Sequence, residues 1–123
     1  MKIKKLFKEK NLVYSFEIFP PKEDLPLEKV FNTIEKLSEL KPDYISVTYG
    51  AGGSTLNNRT SLLSSRIKNN YGIESLAHLT CIGAKRGSID KILDELKENN
   101  VDNILALRGD IPQGGFVSGD FIN

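Results

Sequence analysis

Segments of strand and helix character alternate along this chain, in a unit that recurs roughly every 30 residues, and this constrains the fold more than any other feature. The first strand segment is Val13–Phe19, closed by Pro20-Pro21. A helix follows from about Pro26 to Leu40, where Leu27, Val30, Phe31, Ile34, Leu37 and Leu40 recur at helical spacing. Asp24 and Pro26 mark its start and Lys41-Pro42 its stop. The second strand is Tyr44–Tyr49, followed by a glycine-rich turn, Gly50-Ala51-Gly52-Gly53. Ser54 or Thr55 can cap a second helix, which ends near Asn69–Gly72. The third strand is Glu74–Cys81. The third helix starts at a Ser88 cap and shows Ile89, Ile92, Leu93 and Leu96. The fourth strand is Asn103–Leu107, with a loop from Arg108 to Gly115 after it.

Alternating strands and helices imply a parallel sheet, either open and doubly wound or closed as a (βα)₈ barrel. Side-chain parity separates these, because successive strand residues point to opposite faces. Ser15 and Glu17 oppose Tyr14, Phe16 and Ile18; Ser46 and Thr48 oppose Ile45, Val47 and Tyr49; His78 and Thr80 oppose Ala77, Leu79 and Cys81. In the fourth strand Arg108 and Asp110 share a parity against Leu105 and Leu107, provided the strand direction persists. A sheet covered by helices on both faces is apolar on both. One apolar face and one that turns polar toward the strand ends fits a barrel, whose C-terminal mouth holds the site. The expected fold is thus α/β, of (βα)₈ TIM-barrel type, as one partial domain over residues 1–123. It comprises four strands and three helices, about half of the typical ~250 residues.

Glu17 is the first candidate for chemistry. It stands in an apolar strand, where an unpaired carboxylate is costly to bury. It reads either as a general acid or base or as a structural ion pair with Arg108 or a lysine, and the companion polar strand ends favour the first. The Tyr49–Thr55 loop brings backbone N–H groups toward a phosphate or a flat ligand, or is an ordinary tight turn; it lacks the P-loop lysine. His78, the only histidine, is a core residue or a ligand contact. Arg108-Gly109-Asp110 offers a cation and an anion about a glycine that permits close approach, or a local salt bridge.

Net charge of +1 gives no electrostatic case for nucleic acid or anionic lipid as a partner. One Cys and one His leave no basis for a classical zinc site, and none is expected. The basic N-terminus lacks the apolar core of a leader peptide, and no run approaches the ~18 apolar residues of a membrane span. A cytoplasmic protein is the expectation.

Taken together, Ser15-Phe16-Glu17-Ile18-Phe19-Pro20-Pro21-Lys22, Ser46-Val47-Thr48-Tyr49-Gly50-Ala51-Gly52-Gly53, Ala77-His78-Leu79-Thr80-Cys81 and Leu105-Ala106-Leu107-Arg108-Gly109-Asp110 resemble the methylenetetrahydrofolate reductase family, in its order and spacing. The resemblance covers the first half of the family's catalytic barrel. It implies an FAD-containing (βα)₈ barrel in which NAD(P)H reduces the flavin and 5,10-methylenetetrahydrofolate then accepts the hydride, giving 5-methyltetrahydrofolate. By the same resemblance Glu17 is the general acid that protonates the folate, and Asp110 sits by the flavin and the pterin. Thr48, Tyr49, Ala51, His78, Arg108, Gly109 and Asp110 line the FAD, and Glu17, Thr48 and Asp110 meet the folate. The chain is expected to be a truncated gene product, the reading of an incomplete gene, or an excised fragment. The competing expectation is a non-catalytic half barrel that self-associates through its open edges.

Overall fold

The computed structural model describes residues 1–22, 24–49, 58–82 and 85–109. The elements run α1 (Ile3–Glu9), β1 (Ser15–Ile18), α2 (Glu28–Glu39), β2 (Tyr44–Val47), α3 (Asn58–Tyr71), β3 (Glu74–Thr80), α4 (Arg86–Glu98) and β4 (Asn103–Leu107). The four strands pair in parallel in the order β1-β2-β3-β4, each joined to the next by a helix. This is the α/β arrangement the alternation implied, and it is consistent with part of a TIM barrel.

Strand register fixes the two faces. Glu17 pairs with Ser46, Ile18 with Val47, and Ser46 with Leu76, so Glu17, Ser46, Leu76, His78 and Thr80 share one face. The other face is buried beneath the helices. Ile18, Ile45 and Val47 from the sheet meet Ile34 of α2 and Leu63 and Ile67 of α3, with Phe16, Val30, Phe31 and Leu37 packed around them. Burying one such aliphatic side chain stabilises by about 1.5–3 kcal/mol. A smaller cluster, Ala77, Leu96 and Val101, lies beneath α4. The helical spacing of Val30, Phe31, Ile34 and Leu37 gives α2 its apolar stripe.

α3 has the least regular pattern because small hydroxyl side chains take places on its buried face. Thr60, Ser61 and Ser64 are all buried. The Thr60 hydroxyl donates to Thr48 O at 2.9 Å, fixing the start of α3 to the end of β2. The buried hydroxyls of Ser64 and Ser75 have no hydrogen-bond partner among the described residues.

The structure corrects four expectations. Four helices, not three, are present among the described residues, because Ile3–Glu9 folds as α1. α1 lies across the N-terminal ends of the strands, where Ile3 and Leu6 are buried and Phe7 meets the Tyr44 ring edge-on. Ile3 N–H donates to Asn103 Oδ1 at 2.8 Å, and Asn103 Nδ2 donates to Met1 O at 2.9 Å. Second, α4 begins at the Lys85 N-cap rather than at Ser88; the Ser88 and Ile89 N–H groups both donate to Lys85 O at 3.1 Å. Third, β1 and β2 stop before Phe19 and Thr48, and β3 before Cys81. The Thr48 N–H still donates to Ile18 O at 3.0 Å.

The fourth correction concerns β4. His78 pairs with Leu105 and Thr80 with Leu107, so both leucines stand on Glu17's face. The Cys81 N–H donates to Leu107 O, which extends the pairing to Arg108 and sets it on the parity of Ile104 and Ala106, opposite to Glu17; the Ile82 N–H then donates to Arg108 O, and with two successive donors to one neighbour the regular ladder ends, both bonds being 2.8 Å. The glycine-rich turn with its Ser54 and Thr55 caps, and the loop beyond Gly109, lie outside the described residues.

Candidate active site at the strand ends

α1 occupies the N-terminal end of the non-helical face, which leaves the other end of that face for a site. Three side chains from three adjacent strands converge there. Ser46 Oγ donates to Glu17 Oε1 at 3.0 Å. His78 Nε2 lies 3.4 Å from the same oxygen. Local backbone logic explains the meeting. Glu17 and Ser46 are direct register partners on neighbouring strands, and His78 lies two residues past Leu76, the partner of Ser46.

The environment of Glu17 differs from the one its strand suggested. Its side chain is 48% exposed, while that of His78 is 12% exposed. The apolar residues beside Glu17 in sequence point to the other face, so they do not desolvate it. Among the described residues the ionisable group beside it is His78, in place of the Arg108 or lysine of the ion-pair reading. A cleft of about 540 Å³ opens between the end of β1 and α2, lined by Glu17 with Ile18, Phe19, Lys29, Val30 and Thr33; Ser46 and His78 do not line it. Ligand-binding clefts fall in this size range. Arg59 of α3 holds one wall, its guanidinium donating to Pro21 O at 3.2 Å and Lys22 O at 2.7 Å.

Other sequence-derived candidates divide by position. Thr48 and Tyr49 follow β2 directly, and Tyr49 lies beside His78 and Thr60. Thr48 shares the parity of Ser46. Arg108 is exposed and on the opposite parity, so the described backbone does not bring it to Glu17. Gly109 has φ +87°, and a Cβ built there lies 2.1 Å from Thr80 Cγ2 and 3.0 Å from Ile82 Cγ2. The space that glycine leaves is thus filled by this chain's own methyl groups, not by room for a ligand. Ala51 and Asp110 lie outside the described residues. Ser46 stands outside the residues that the resemblance implied. Its signal in the sequence was parity with Thr48, but its pairing with Glu17 needed the register.

Chemically, a carboxyl group held by a hydroxyl and an imidazole at a half-open cleft is equipped to move a proton. Among the described residues, no helix is long and apolar enough to cross a membrane.

The comparisons with known proteins agree on one family. The family model described as methylenetetrahydrofolate reductase matches residues 2–119. The chain is similar to 5,10-methylenetetrahydrofolate reductase of Pectobacterium carotovorum, with 43% identity over 82% of this chain and 34% of the relative. It is similar to the Escherichia coli protein of that name, with 41% identity over 81% of this chain and 33% of the relative. It is also similar to methylenetetrahydrofolate reductase (NADH) 1 of Arabidopsis thaliana, with 38% identity over 92% of this chain but 19% of the relative. The chain thus spans a fifth to a third of the length of these relatives. The match covers nearly the whole chain and all four strands, and the chain belongs to the methylenetetrahydrofolate reductase family.

Proposed function

We propose that this chain supplies the first half of a (βα)₈ barrel that reduces 5,10-methylenetetrahydrofolate to 5-methyltetrahydrofolate, with FAD as cofactor and NAD(P)H as reductant. The observation that carries the reading is the convergence of Ser46 and His78 on Glu17 at the C-terminal end of a parallel sheet. Family membership supplies the substrate class. Glu17 is the proton donor to the folate.

The residues present suit a flavin. Leu105 and Leu107, both exposed, share a face with His78 and Thr80, which offers apolar surface for a flat ring and polar groups for its edges. Thr48, Tyr49 and His78 would hold it, with Ala51 and Asp110; Asp110 and Thr48 would also meet the folate. When bound, the flavin carries the hydride between the two substrates. The protein's own share is to position both ligands, hold the face dry and deliver a proton from Glu17. A cytoplasmic setting and homo-oligomeric assembly belong to the same reading. A non-catalytic, self-associating half barrel is the second reading, favoured by the exposure of Leu105 and Leu107.

The test grafts residues 2–119 in place of the matching segment of the Escherichia coli relative. The graft is expected to bind FAD and reduce the folate. Glu17→Gln is expected to keep the flavin and lose about 10²–10⁴-fold in turnover, the usual worth of a positioned acid. Undiminished turnover with Gln at this position overturns the reading.

A further inference from the structure

Glu17 Oε1 is approached from two strands. The Ser46 hydroxyl comes from β2 at 3.0 Å and the His78 imidazole from β3 at 3.4 Å. Ser46 is buried, with 6% of its surface exposed, and is the direct register partner of Glu17. Its Oγ is therefore held on a rigid sheet beside the carboxyl group. Among the described residues no hydrogen bond reaches Oε2.

The two carboxyl oxygens are therefore chemically unequal. A carboxylic acid carries its proton on one oxygen, and the other stays an acceptor. An oxygen that already accepts from a hydroxyl is the poorer place for the proton. We propose that Ser46 is a positioning residue of this site: its hydroxyl, backed by His78, fixes Glu17 Oε1 as the acceptor and so directs a proton carried by Glu17 to Oε2. The proposal rests on the reading of Glu17 as proton donor, and it makes β2 rather than Glu17's own strand the element that aims the proton. The groups that face Glu17 among the described residues are His78 from β3 and the Ser46 hydroxyl from β2; Lys29 of α2 shares the lining of the cleft at the end of β1.

The chain contains one histidine, so a single imidazole signal in nuclear magnetic resonance reports this cluster. In the full 123-residue chain at one fixed pH, Glu17→Gln, Ser46→Ala and Ser46→Val are each expected to displace that signal from its parent position. Ser46→Thr, equal in volume to Val but retaining the hydroxyl, is expected to leave it near the parent. The Thr-against-Val comparison decides between the outcomes should the Ala variant not fold. Coincident signals in Thr and Val overturn the proposal. In the graft described above, Ser46→Val is expected to lower kcat with little change in KM. Failure of the parent reading shows differently: Glu17→Gln leaves turnover intact while the His78 signal still responds to Ser46.

Discussion

Gly109 sits at φ +87°, a region that L side chains seldom occupy, with Thr80 and Ile82 methyls where a Cβ would be. Gly109→Ala is expected to destabilise the fold by about 1–3 kcal/mol, combining backbone strain with steric conflict. Urea unfolding measures it, and trimming the partner in a Gly109→Ala, Thr80→Ser double variant should recover part of the loss. An unchanged midpoint would show that Thr80 rotates away freely. Glu17 and Ser46 depend on their neighbours in a similar way. Alternation along the strand correctly placed Glu17 on a face apart from Phe16 and Ile18. How exposed that face is, and that Ser46 stands beside Glu17, depend on the neighbouring strand.

At the scale of elements, polar contacts tie α1 and its junction with β1 to the sheet. The Lys10 ammonium pairs with the Asp43 carboxylate, and Tyr14 N–H donates to Asp43 Oδ2 at 3.0 Å. The Lys10 ammonium, and then the Tyr14 N–H, hold the Asp43 carboxyl below its ordinary value of 3.8. Asp102 is likewise lowered, first by its hydrogen bond from the Met1 ammonium. A carboxyl whose folded value is depressed adds stability above its unfolded value and loses it as pH falls through the folded one. The melting temperature is therefore expected to fall as pH drops below about 4, and Asp43→Asn should be less stable at pH 7 with a shallower acid decline. Parallel acid declines for parent and Asp43→Asn would exclude this link. Lys68 is shifted the other way: its contact with the buried Glu74 carboxylate raises the ammonium above its ordinary 10.5. That stabilising share is present below 10.5 and is lost as pH rises through the higher folded value. α1 itself was not legible beforehand, because seven residues are too few for periodicity to declare a helix, and Ile3 and Leu6 are apolar anchors only against the strand ends.

For the molecule as a whole, the decisive feature is that the sheet has one covered and one open face. From Ile104 onward β4 is exposed on both faces, with Leu105 40% and Leu107 39% accessible. Among the described residues β1 and β4 each pair on one side alone. Unpaired parallel edges beside exposed leucines favour association. The isolated 123-residue chain is expected to run above its 13.7 kDa monomer mass in light scattering and to brighten an apolar dye. Leu105→Lys with Leu107→Lys should shift it toward monomer. A dye-silent 13.7 kDa monomer of the parent would mean that the open face is covered.

The order of amino acids was enough to establish the parallel α/β arrangement, the helix-covered face and the family, because these rest on period, spacing and motifs that are local or collinear. It also placed His78 and Thr80 on one face, since parity within a strand needs no partner. Four facts came from the folded chain and nowhere else: Ser46 meets Glu17, Leu105 and Leu107 share their face, Arg108 does not, and α1 closes the opposite end. Those facts depend on the register between strands and on packing between distant segments. Spacing along one chain does not encode either, because a shift of one residue in pairing reverses every side chain in the strand.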